Sequence, residues 1–189
     1  MIDDAKLSDI SEWKISSMEH YNALAKGYDE LYGEEQRRKI DFILKEFDLK
    51  DKNIILDIGC GTGLLLEKIY DKNKVFVEVD ISEKMLKKIW KEFKDEPNVL
   101  LVQADADNLP LRSKIFETTF AITLIQNLPN PKMTLQEIKR VSKKGAHIIA
   151  SGLKRKYRID EFKSIFEEIT LKKLYDIENL NDYIAYGIV

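Results

Sequence analysis

Apolar and polar positions change their period several times along this chain. Ser16 and Glu19 make a capping-box pair at the head of a helical run with Met18, Tyr21, Ala25 and Tyr28 on one face, and Gly27 ends or bends it. Residues 1–12, broken by charge, read as weakly ordered. From 34 to 49, Ile40, Ile43, Leu44 and Phe47 recur at i, i+3, i+4 and i+7, an amphipathic helix. The rhythm then shortens. NIILDI (53–58) is an apolar run of the kind buried parallel strands carry, residues 62–71 are helical, and KVFVEVD (74–80) is strand-like. Ser82 can cap a helix whose inner face is Met85, Leu86, Ile89, Trp90 and Phe93. Residues 98–105 and 116–125 read as strands. A helix follows over 131–143, with Leu135, Ile138 and Val141 inward and Gly145 just beyond. A strand over 146–153 and a helix over 159–169 come next. LKKLYDIE and DYIAYGIV fit two last strands. This alternation predicts a doubly wound α/β sheet, seven-stranded and mostly parallel, with helices on both faces. Ligands of such sheets bind beyond the carboxyl ends of the strands.

Composition narrows the setting. The 189 residues suit one domain. A formal net charge of −2 argues against a chain that binds nucleic acid by its overall charge. Cys60 is the only cysteine, so no internal disulfide forms and a reducing, cytoplasmic location is expected. No run approaches the roughly 20 apolar residues that cross a bilayer, so no membrane partner is expected. The start, MIDDAKLSDISEW, is unlike a secretory signal. Charge is segregated: residues 1–35 hold nine acids and three bases, and residues 143–158 hold six bases and no acid. These are either two solvated surface segments or two poles with a function.

The candidate chemistry lies in ILDIGCGTG. Gly59, Gly61 and Gly63 follow the first strand and open a helix, so the backbone can turn sharply and a ligand can come close. A phosphate-binding P-loop would place Lys-Ser/Thr after the last glycine, where this chain has Leu64. A dinucleotide site wants its third glycine one residue later, and Asp57 beside the turn repels a pyrophosphate. Asp57 suits a ligand bearing an ammonium group. Asp80, ending the second strand, can accept from both ribose hydroxyls. Asp105, ending the third, can accept from the exocyclic amino group of adenine. Each acid taken singly reads equally as a helix cap. Three of them at successive strand ends, with no compensating base, make a negative pocket that favours a cationic adenosyl ligand over NAD.

From about Tyr21 to the end, the chain resembles the class I S-adenosylmethionine-dependent methyltransferases of the small type 11 group. ILDIGCGTG matches the family's first motif, VEVDISEKML its second-strand segment and QADADNLPL its third-strand segment. LIQNLPNPKMTLQEIKRVSKKGAHIIAS matches the fourth strand, the helix and the fifth strand, and YDELYG resembles a segment that closes over the cofactor. The resemblance implies a Rossmann-like fold with strand order 3-2-1-4-5-7-6 and an antiparallel last strand. It implies S-adenosyl-L-methionine as cofactor, held by Tyr28, Asp57, Gly59, Cys60, Gly61, Asp80, Ile81, Asp105 and Ala106. It also implies a division into a segment 1–33 that acts as a lid and a core 34–189. Two departures stand out. Glu78 replaces a common glycine, and Gln126 and Asn127 stand where many members carry two histidines.

Methyl transfer needs alignment and exclusion of water, with a general base only for a protonated acceptor. No residue stands out as that base, and no cluster suggests a metal site. His147, inside a strand, and His20, on a helix surface, read as structural. Cys60 packs within the motif. Gln126 and Asn127, at the end of the fourth strand, are the acceptor-side candidates, joined by Lys154, Arg155 and Lys156 from the basic run, with Tyr157 available to stack. A sheet with only a short lid suggests an open mouth. The sequence therefore leans to RNA or protein as acceptor, with a small molecule second, and to an activating partner protein or a homo-oligomer. The other functional reading is an S-adenosylmethionine-binding subunit without activity.

Overall fold

The computed structural model describes residues 4–189. Two helices, α1 (Asp4–Leu24) and α2 (Tyr28–Glu46), precede the alternating part. β1 (Ile54–Ile58), α3 (Leu64–Ile69), β2 (Val75–Asp80), α4 (Glu83–Phe93), β3 (Val99–Gln103) and β4 (Phe116–Ala121) follow. The chain closes with α5 (Pro131–Val141), β5 (Ser142–Leu153), α6 (Ile159–Ser164), β6 (Thr170–Asp176) and β7 (Asp182–Ile188). The seven strands lie in the order β3-β2-β1-β4-β5-β7-β6. β1 to β5 pair in parallel, and β7 runs antiparallel to both neighbours. Fold class and strand order are as the sequence led one to expect.

The apolar runs of the central strands bury both faces of the sheet. Leu56, Ile58, Val77 and Val79 pack on Leu135, Ile138 and Ile148 on one side. Ile55 and Phe76 pack on Ile40, Ile43, Leu64 and Leu66 on the other. Each such side chain withdrawn from water contributes about 1.5–3 kcal/mol, which anchors the central strands between the two layers. All ligand-side turns leave from the carboxyl ends of β1, β2, β3 and β4, which sets them along one edge of the sheet.

Four local expectations are corrected. Helix α1 begins at Asp4, well before Ser16, and covers all but the first residues of the stretch expected to be weakly ordered; residues 1–3 lie outside those described. Its half-buried positions, Ile10, Lys14, Ser17, Met18 and Tyr21, keep helical spacing but mix polar with apolar residues, which hides the period. Helix α2 starts at Tyr28, one to two turns ahead of the amphipathic run expected over 34–49, and ends at Glu46. β4 stops at Ala121, because Thr123 has a left-handed backbone (φ 58°) and Ile125–Asn127 form a short 3-10 turn. Trp90 is 55% exposed: the buried stripe of α4 runs through Met85, Leu86 and Ile89, and Trp90 lies about a quarter turn outside it. Ser82 does cap α4, its Oγ accepting from Met85 N–H at 3.2 Å.

Candidate functional site

The loops at the carboxyl edge enclose a cleft with about 750 Å³ of empty space, part of it open to solvent. Gly59, Gly61, Asp80, Ile81, Asp105 and Ala106 line it from the sheet, and Tyr28 lines it from the start of α2. A smaller inner hollow of about 370 Å³ adjoins it and is lined by Asp57, Cys60, Thr62, Gln36 and Tyr28. Every cofactor candidate named from the sequence thus faces one of two connected spaces.

The glycine turn explains how ligand and backbone approach. Gly61 has φ 58°, and a Cβ there would meet nothing within 4 Å, so its open side is the cleft. Gly63 has φ 91°, and a Cβ would stand 2.9 Å from Ile89 Cγ1; α3 and α4 could not pack so closely with any larger residue. The Gly61 N–H donates to Asp80 Oδ2 at 2.9 Å, and the Ser82 N–H donates to Asp80 Oδ1 at 2.8 Å. Asp80 is therefore fixed in place, with lone pairs on both oxygens to spare for ribose hydroxyls. Burial raises its carboxyl above the ordinary range, opposed by hydrogen bonds from Ser82 and Gly61.

Asp57 and Glu78 stand side by side in the β1–β2 register and share the face under the glycine turn. Both are buried, and Asp57 Oδ1 and Glu78 Oε2 have no hydrogen-bond partner. Burial, then repulsion from Asp80, pushes Asp57 from 3.8 up to about 8. Burial, then repulsion from Asp57, raises Glu78 well above its usual range. Burial, then Glu78 and the two aspartates, raises the Cys60 thiol and disfavours its thiolate form.

The sequence offered Tyr21, Tyr28 and Tyr32 as aromatics that could form a lid, and the first two line the cleft, while several other positions escaped it. Lys14, from α1, pairs with Asp105 Oδ2 at 2.5 Å and Asp107 Oδ2 at 2.8 Å, so the row of acids does have a compensating base. Burial alone would lower the Lys14 pKa, but bonds to Asp105 and Asp107 outweigh it and raise it. Trp13, Ser17 and Tyr21 join Lys14 in forming one wall of the cleft. Tyr21 OH accepts from Asn127 Nδ2 at 2.7 Å, and burial, then Asp80, pushes its pKa up to about 12. Burial likewise raises Tyr28. Tyr32 stacks on Tyr28 from outside and is 46% exposed, so it is not part of the wall. No local signal marked Lys14, whose partners lie 91 residues away in sequence.

The acceptor-side candidates separate. Asn127 lines the cleft, and Gln126 lines a shallow trough that continues from it past Trp13, Leu128 and Pro129. Lys156 borders that trough. Lys154 points elsewhere: its Nζ bonds Ile177 O at 2.7 Å and Asp176 Oδ1 at 2.6 Å. Arg155 is exposed. Tyr157 is not free to stack on a ligand, because its OH donates to Ile125 O at 3.0 Å and its ring packs on Phe162. Of this run, Lys154 and Tyr157 are thus engaged within the fold, while Arg155, Lys156 and Arg158 are exposed. Among the described residues no group of acids, histidines or cysteines could hold a metal ion, and no helix is long and apolar enough to cross a membrane.

The residues fit an adenosyl cofactor with an amino-acid tail: Asp57, with one unpartnered buried carboxyl oxygen, lines the inner hollow, the open Gly61 lines both hollow and cleft, and the acids Asp80 and Asp105 line the cleft. Comparison with known proteins agrees. A family profile described as "Methyltransferase domain" matches residues 56–150. An uncharacterized protein of Methanocaldococcus jannaschii is 35% identical over 130 residues, covering 69% of this chain and 49% of that protein. The demethylmenaquinone methyltransferase of Staphylococcus saprophyticus is 34% identical over 110 residues, covering 57% and 47%. The chain therefore spans about half the length of the curated relatives it matches. Among solved structures, a methyltransferase of Haloferax volcanii in complex with the Trm112 methyltransferase activator superposes with a TM-score of 0.78 at 14% identity, covering 90% of this chain and 96% of that one.

Proposed function

Since the chain belongs to the class I S-adenosylmethionine-dependent methyltransferases, type 11 group, we propose that it transfers the methyl group of S-adenosylmethionine to a small organic acceptor. The observation that carries this reading is the conjunction of open Gly61 and the acids Asp80 and Asp105 in one cleft with Asp57, whose Oδ1 has no partner, in the hollow that adjoins it. The cofactor supplies a carbon already activated by positive sulfur. The chain's part is to hold and align: Asp57 toward the ammonium, Asp80 toward the ribose, Asp105 with Ala106 and Ile81 around the adenine. Gly59 and Cys60 contribute backbone to the turn, and Tyr28 with the segment to residue 33 closes over the core. Excluding water and fixing the approach are the main sources of rate in such a displacement.

A small acceptor is favoured over RNA or protein for two reasons. The α1 wall narrows the mouth that the sequence suggested was open, and Lys154 and Tyr157 of the basic run are engaged within the fold rather than free for a phosphate backbone or a base. The Staphylococcus relative, named for demethylmenaquinone, is consistent with this. Asn127, Gln126 and Lys156 then border the acceptor. A second protein or a second copy of the chain remains part of this reading, supported by the activator in the Haloferax complex and by exposed Leu31 and Trp90; light scattering with and without cofactor checks it. The function itself is tested by calorimetric titration with S-adenosylmethionine, S-adenosylhomocysteine and NAD, then by methyl transfer from labelled donor to small-molecule and macromolecular fractions. Binding of NAD alone, or label found only in nuclease- or protease-sensitive material, would overturn it.

A further inference from the structure

Thr123 lies on the cleft wall in a conformation that a β-branched residue rarely adopts (φ 58°), at a cost of about 1–3 kcal/mol. A closed ring of hydrogen bonds surrounds it. Lys39, on α2, is wholly buried, and its Nζ donates to Thr123 Oγ1 at 2.6 Å and pairs with Asp182 Oδ2 at 2.9 Å. Ser151 Oγ donates to the same Asp182 oxygen at 2.7 Å and accepts from the Thr123 N–H at 2.8 Å. Glu35 Oε1, at 3.2 Å, and Gln36 Oε1, at 3.5 Å, complete the surroundings of the ammonium. Lys39 and Asp182 are both 0% exposed, and a buried pair of this kind adds little net stability, because desolvation offsets its attraction. Two unfavourable features built onto each other at the edge of a cleft point to placement of groups rather than to stability.

What they place is visible on both sides of Thr123. Its carbonyl accepts from Gln126 Nε2 at 2.6 Å and from Asn127 Nδ2 at 3.1 Å, and Asn127 also reaches Tyr21 OH. Its hydroxyl donates to Gln36 Oε1 at 2.9 Å. Gln36 lines the inner hollow with Asp57, and with its oxygen engaged by Thr123 its Nε2 is the end left to donate toward a carboxylate. We propose that Lys39, Ser151 and Asp182 are positioning residues that hold Thr123 in its left-handed turn, so that Thr123 aims Gln36 at the carboxylate of the cofactor's amino-acid end and Asn127 at the acceptor. This inference rests on the assignment of the cleft to S-adenosylmethionine.

The test compares two ligands by calorimetry. S-adenosylhomocysteine carries the amino-acid end and methylthioadenosine lacks it. Thr123→Gly accepts the same φ without strain but loses the hydroxyl that fixes Gln36, and circular dichroism and melting verify its fold. It should bind S-adenosylhomocysteine about tenfold more weakly, the loss of about one hydrogen bond, and methylthioadenosine within about twofold of wild type. Thr123→Ser keeps the hydroxyl and should restore the tenfold loss. Asp182→Asn, which breaks the ring at a distance, should show the same split. Equal losses for both ligands, or unchanged affinity in Thr123→Gly, would overturn the inference and leave the cofactor assignment standing. A wild-type protein that binds neither ligand would overturn the assignment and the inference together.

Discussion

At the scale of the residue, the paired carboxyls under the glycine turn set a pH dependence. Asp57 is raised from 3.8 to about 8, so between those values the folded chain holds a proton that the unfolded chain has lost. Stability contributed by this group is full below about pH 4, falls as pH rises, and levels off above about 8. The melting temperature of Asp57→Asn should therefore fall less steeply than that of wild type between pH 5 and 8; identical slopes would remove Asp57 as the cause. An arriving ammonium favours the ionised form, so binding of S-adenosylmethionine at neutral pH should release a proton, read from calorimetry in buffers of different ionisation enthalpy. Asp80→Ala should weaken the cofactor by roughly 2–4 kcal/mol, the worth of two hydrogen bonds to a charged acceptor, and unchanged affinity would remove Asp80 from the ribose. Asp105→Ala should weaken adenosyl ligands more than analogues lacking the amino group, as competition titration can show. These acids were legible in the sequence because each ends an apolar run beside a known turn. Thr123, Lys39 and Gln36 were not, since their roles depend on partners brought from β5, β7 and α2 by the fold and leave no local pattern.

At the scale of the element, the proposed lid moves α1 and the turn at Gly27 as one unit. Among the described residues, polar ties hold α1 to the sheet side at Lys14, which meets Asp105 and Asp107, at Asn22, whose Oδ1 accepts from Ser82 Oγ at 2.8 Å and from the Lys84 N–H at 3.2 Å, and at Tyr21, which meets Asn127. A cofactor whose adenine competes for Asp105 and whose ribose lies under Tyr21 and Tyr28 should exchange these polar ties for ligand contacts. Amide exchange across residues 16–33 should then be slower with S-adenosylhomocysteine than without; equal protection in both states would exclude a lid. The helices facing the core were readable from their apolar stripes. Helix α1 was so only in part, because its half-buried face, turned to the cleft, carries Lys14 and Ser17 where a core helix would carry leucine. Strand order was accessible only through resemblance, since parallel strands joined by helices leave several orders open to any reading of local periodicity.

At the scale of the whole molecule, one ion pair joins the beginning of the chain to its end. Lys39 on α2 and Asp182 at the start of β7 meet in the interior, so α2 is fastened to the antiparallel end of the sheet as well as to the apolar layer beneath it. Lys39→Met, which strands a buried carboxylate, should destabilise the protein by about 3–5 kcal/mol. The double variant Lys39→Met with Asp182→Leu should recover much of that loss in denaturant melts, and failure to recover would mean the pair is a true source of stability. The placement of the two tryptophans has a practical outcome of another kind. Trp13 borders the cleft and the trough, whereas Trp90 projects from the outer side of α4. The chain thus carries one fluorophore at the site and one away from it, and with Trp90 changed to phenylalanine the remaining emission becomes an optical gauge of occupancy, read without label, acceptor or coupled assay.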